Sequence, residues 1–95
     1  MENRLQVKVK FLDSLWQEED LQYATALSVG LDLKACLDRE TAWIHPGRRL
    51  SVGTGLAIEI EQPEVAGFVF SRSGLGTKQG LVVSQGVGVI DPDYR

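Results

Sequence analysis

Apolar residues at Leu5, Val7, Val9 and Phe11 alternate with Gln6, Lys8 and Lys10. A period of two puts successive side chains on opposite faces, so this stretch predicts a half-buried strand with its lysines in water. Residues 13–24 are mixed and acidic, and Leu15, Trp16 and Leu21 fit a helical stripe poorly, which predicts a loop with a short turn. Alternation returns at Leu31-Asp32-Leu33-Lys34-Ala35, and Thr41 to Ile44 is short and β-leaning. His45-Pro46-Gly47-Arg48 reads as a turn. Leu56, Ile58 and Ile60 are again spaced by two, with Glu59 and Glu61 on the other face. After a turn at Gln62-Pro63-Glu64, the apolar run Val65 to Phe70 predicts a central strand. Residues 71–80 are rich in Gly and Ser and predict a loop, Leu81-Val82-Val83 starts a strand, and Gly86 to Ile90 reads as a strand pair or tight hairpin before Asp91-Pro92-Asp93-Tyr94-Arg95.

Short strands with turn signals at this spacing define an all-β chain: a sandwich, a barrel or a jelly roll. Its 95 residues are read as a single domain, 1–95. Strand edges need partners, and a chain that stops just after a strand-like stretch is expected either to depend on other chains or to be incomplete at its C-terminus.

Composition narrows the function classes. Ten basic against thirteen acidic residues leave a net charge of −3, which argues against a nucleic-acid coat or a membrane-surface module. No apolar run is long enough to span a bilayer, and the N-terminus lacks the apolar block of a signal peptide. Cys36 is the only cysteine, so an internal disulfide and a cysteine-clustered zinc site are excluded, and a cytoplasmic location is expected.

Three clusters can carry chemistry. In Ser71-Arg72-Ser73-Gly74-Leu75-Gly76, Arg72 offers a forked donor, Ser73 a hydroxyl, and the glycines a close backbone approach; this suits a phosphate, or equally an ordinary surface loop. In Gly86 to Tyr94, an aspartate after an apolar strand suits a general base or a metal ligand, and Tyr94 offers a flat face to a sugar or base; Asp-Pro-Asp is also a common turn. Asp32, at a polar position of an alternating segment, is either a solvated strand residue or a metal-associated carboxylate. His45 has no partner at a recognisable spacing and reads as structural or solvated; Trp16 and Trp43 read as core or interface aromatics, and Cys36 as a small buried apolar residue.

Taken in order, Ser28-Val29-Gly30-Leu31-Asp32-Leu33-Lys34-Ala35, Ser71-Arg72-Ser73-Gly74-Leu75 and Gly88-Val89-Ile90-Asp91-Pro92-Asp93-Tyr94-Arg95 resemble the first three of the five motifs of the trimeric deoxyuridine triphosphatase (dUTPase) family. The resemblance implies a jelly-roll-like fold and a homotrimer with active sites shared between subunits. It implies hydrolysis of dUTP to dUMP and pyrophosphate with Mg²⁺; that no nucleic acid and no membrane is a partner follows from the charge balance and hydropathy above. By the same resemblance Asp91 activates the attacking water, and Tyr94 packs on deoxyribose and excludes a ribose 2′-hydroxyl. Arg72, Ser73 and Gly74 contact phosphate from a neighbouring subunit, Asp32 meets the metal through water, and the backbone of 85–90, including Gln85, Gly88 and Ile90, reads the uracil edge.

Two departures from the family stand out. Gln85 lies where many members have Asn. The family also continues past the position of Arg95 with further motifs and a glycine-rich arm that closes on the nucleotide. The alternatives are therefore a catalytically inactive, truncated binding or assembly module, and a dCTP deaminase relative; Gly74 and Tyr94 speak against the deaminase, which resembles this family in fold but carries Ser and Trp there.

Overall fold

The computed structural model describes residues 4–95. Strand β1 (Val7–Phe11) pairs with β2 (Leu56–Ile60), and the Leu12 N–H donates to the Gly55 carbonyl at 2.8 Å where that ladder ends. Strand β3 (Gly67–Phe70) pairs antiparallel with β4 (Val87–Ile90), in the register Gly67–Ile90, Phe68–Val89, Val69–Gly88 and Phe70–Val87. Between β3 and β4 lies one short helix, α1 (Ser73–Gln79). Four strands against this helix and a 3₁₀ turn at Glu18–Asp20 bear out the all-β class among the described residues.

Packing divides the chain into two compact units, one of Val9–Ala57 and one of the N-terminal segment to Lys8 with Ile58–Arg95. In the Val9–Ala57 unit the core is Trp16, 5 % exposed. Its ring stacks on Phe11 at 6.0 Å between centroids, and its Nε1–H donates to the Thr54 carbonyl at 2.6 Å. Gly55 passes so close that a Cβ there would lie 3.2 Å from both Asp13 Cβ and Trp16 Nε1. Lys34 caps the indole, its Nζ 5.1 Å from the ring, and pairs with Asp20 at 2.9 Å. The Gln17 N–H and Lys34 hold the Asp20 carboxyl below its ordinary value.

In the other unit Ile60 is the buried side chain, packed where Gly67 lets β3 approach Ile60 and Ile90. The period of two in β3 and β4 sorts their faces. Val69, Gly88 and Ile90 are half-buried, whereas Phe68, Phe70, Val87 and Val89 form an exposed apolar face. This pairing leaves little room for a side chain at Gly88, where a Cβ would lie 3.3 Å from Val69 Cβ.

Several local expectations are corrected. The Gly/Ser-rich stretch expected to be a loop is helix α1, stopped by Gly80 in the left-handed region at φ 70°, where its N–H donates to the Gly76 carbonyl. Leu81-Val82-Val83 starts no strand, and β4 finds its partner in β3 across the helix rather than in a tight hairpin. Leu31–Ala35 and Thr41–Ile44 alternate or lean toward β but gain no ladder; near them only Cys36 bridges to Gly53. A strand needs a partner backbone, which an alternating pattern does not supply. The run Val65–Phe70 was expected to lie centrally in a sheet; its strand starts at Gly67, has one partner, and leaves Phe68 and Phe70 exposed. Trp16 is core as expected, whereas Trp43 is 81 % exposed and belongs to no core. Cys36 is half-buried, and its hydrogen bond with Asp13 pushes the thiol pKa up.

Candidate functional site

The residues singled out between Ser71 and Tyr94 all lie in the unit built on β3 and β4. Arg72 caps α1 with extended backbone, and its carbonyl accepts the Gly76 N–H at 3.0 Å. This puts Ser73 and Gly74 in the first turn of the helix, exposed like Arg72 itself. The chain then returns by a tie that the sequence did not disclose. The Val83 N–H donates to Ser71 Oγ at 2.8 Å, while the Val83 carbonyl accepts the Gly86 N–H at 2.9 Å. Arg72 thus directly follows one partner of the Ser71–Val83 bond, and Gln85 lies in the turn begun by the other. That turn ends at Gly86 with φ 83°, a backbone that favours glycine, and runs into β4.

Gln85 is exposed in this turn; Gly88 and Ile90 face inward from β4. Because β3 is the one ladder partner of β4 among the described residues, the opposite edge of β4 carries the backbone groups that β3 does not use. A nucleobase edge can be read by such groups without a diagnostic side chain.

Past Ile90 the chain turns sharply. The Tyr94 N–H donates to the Asp91 carbonyl at 3.1 Å, which leaves Asp91 and Tyr94 exposed at the two ends of one turn. Arg95 holds this turn: its Nη1 lies 2.9 Å from the carbonyls of Pro92 and Tyr94, and its Nη2 3.2 Å from Glu59 Oε1 on β2. Asp91 and Asp93 share an open cleft of about 810 Å³ with Glu59, Glu61 and Arg95. Lys8 bonds Glu61 at 2.6 Å, and that carboxylate holds the lysine pKa above its ordinary value. The cleft therefore offers accessible carboxylates and a guanidinium, and Tyr94 stands between two of its lining residues in sequence. Glu59, Ser71 and Arg95 had no role in the sequence reading. Ser71 and Arg95 stand inside the quoted motifs, but their partners lie at positions 83 and 59, which no local pattern reveals.

Asp32 is exposed and lies in the Val9–Ala57 unit. No group of three or more His, Cys, Asp or Glu among the described residues is placed to hold a metal ion. No helix among the described residues is long and apolar enough to cross a membrane.

Comparison with known proteins agrees with this motif order. The family model described as dUTPase matches residues 17–95. The deoxyuridine 5′-triphosphate nucleotidohydrolase of Desulfitobacterium hafniense (strain DSM 10664 / DCB-2) is 46 % identical over 93 residues, 98 % of this chain and 61 % of that protein. Its counterpart in Acinetobacter baylyi is 50 % identical over 93 residues, 96 % of this chain and 61 % of that protein. That of Polynucleobacter asymbioticus is 47 % identical over 89 residues, 94 % and 59 % respectively. The chain thus spans 59 to 61 % of the length of these curated relatives. With the family match covering the segment that holds Asp32, Arg72–Gly74 and Asp91–Tyr94, the chain belongs to the dUTPase family.

Proposed function

We propose that this protein hydrolyses dUTP to dUMP and pyrophosphate in the cytoplasm. The observation that carries the reading is the placing of Asp91 and Tyr94 at the two ends of one tight turn directly after β4. An attacking water must lose a proton as it bonds to the α-phosphorus, and the exposed Asp91 carboxylate is the acceptor. The Tyr94 ring packs against deoxyribose and leaves no room for a 2′-hydroxyl. Backbone groups of 85–90, with Gln85, Gly88 and Ile90, take the uracil edge.

Arg72, Ser73 and the backbone at Gly74 stabilise negative charge on the phosphates as the bond to pyrophosphate breaks. Mg²⁺ would enter with the triphosphate and neutralise its charge, and Asp32 is the residue that would hold it, through water. A homotrimer with shared sites accounts for Arg72–Gly74 serving the nucleotide of a neighbouring subunit. The exposed face of Phe68, Phe70, Val87 and Val89 supports assembly, because an apolar face of this kind is normally covered.

The test is Asp91→Asn. The amide keeps the shape but cannot take the proton, so turnover of dUTP is expected to fall roughly 10²–10⁴-fold while dUMP binding is largely kept. Turnover that survives the substitution removes Asp91 from the role of base.

A further inference from the structure

We infer that Arg95 is a positioning residue that sets the turn carrying Asp91 and Tyr94. One guanidinium spans three acceptors on two segments: the Pro92 and Tyr94 carbonyls at 2.9 Å each, and Glu59 Oε1 on β2 at 3.2 Å. The turn has one backbone bond of its own, Tyr94 N–H to the Asp91 carbonyl at 3.1 Å. A four-residue turn closed by a single bond leaves its flanking side chains free to reorient. The planar fork of arginine closes its second half and ties it to a strand at the same time. Lysine presents a point charge and cannot match two carbonyls and a carboxylate from one rigid plane. Arg95 is half-exposed and its pairing with Glu59 adds little to global stability, so its effect is local: it fixes where Asp91 and Tyr94 stand.

This inference rests on the proposed hydrolysis, and its test separates the two. Arg95→Ala and Arg95→Lys are compared with the parent in the full chain. The readouts are hydrogen exchange at the Tyr94 amide, melting temperature, and kcat and KM for dUTP. In Arg95→Ala, exchange at Tyr94 is expected to rise roughly fivefold while Tm holds. The kcat is expected to fall about tenfold with a smaller change in KM, as misplacement of reacting groups requires. Arg95→Lys is expected to recover less than about half of the exchange protection. Unchanged exchange at Tyr94, full recovery by lysine, or a loss of Tm that tracks the loss of kcat overturns the assignment. A parent protein that releases no pyrophosphate refutes the hydrolase reading, and Tyr94 exchange then decides the role of Arg95 by itself.

Discussion

The backbone N–H of Val83 donates to Ser71 Oγ at 2.8 Å, joining the residue before Arg72 to the residue that opens the turn into β4. The bond is part-buried and spans twelve residues, so it holds the two ends of the α1 excursion together. Ser71→Ala leaves the Val83 N–H without this acceptor. Loss of the bond is expected to lower stability by about 1 kcal/mol, read as a reduced urea midpoint at unchanged slope. A midpoint equal to that of the parent contradicts the tie.

Gly55 makes a second demand on backbone geometry. Its φ of 72° lies where side chains are disfavoured, and an added Cβ would stand 3.2 Å from Asp13 Cβ and Trp16 Nε1. Gly55→Ala combines strain with a displaced indole and is expected to cost about 1–3 kcal/mol. Unfolding followed by tryptophan fluorescence measures it; Gly30→Ala, with open space around its Cβ, is the comparison.

Asp20 sets a pH dependence whose sign is fixed. Its pKa is lowered in the folded chain by the Gln17 N–H and by Lys34. The ionised carboxylate therefore contributes stability above its unfolded pKa, and that contribution is lost as pH falls through the folded value. Asp20→Asn is expected to show a small, salt-sensitive Tm deficit at neutral pH that disappears in strong acid. A deficit that persists at acid pH places the effect elsewhere.

The strands were legible wherever alternation met a partner. The pattern at Leu5–Phe11 and at Leu56–Ile60 marks β1 and β2, because the two strands are each other's ladder partner; the half-buried face expected of the first is not found, since Val7 and Val9 are exposed and only Phe11 is half-buried. The same pattern at Leu31–Ala35 gives no strand, since no ladder forms beside it. Helix α1 was hidden by Gly74 and Gly76, which read as loop residues until the stop at Gly80 is seen to close a helical turn. Of the candidate site, Arg72–Gly74 and Asp91–Tyr94 were legible as motifs with fixed residue types. The bonds that hold them, Ser71–Val83 and Glu59–Arg95, were not, because each joins residues whose proximity arises only on folding.

The most direct test of the central claim is pyrophosphate release by this protein from dUTP, with UTP and dCTP alongside, in the presence of Mg²⁺. The account predicts release from dUTP, with UTP rejected at Tyr94 and dCTP rejected by the backbone of 85–90. Release from none of the three while dUMP still binds would contradict the hydrolase reading and leave a nucleotide-binding module; equal release from all three would contradict the specificity assigned to Tyr94 and β4.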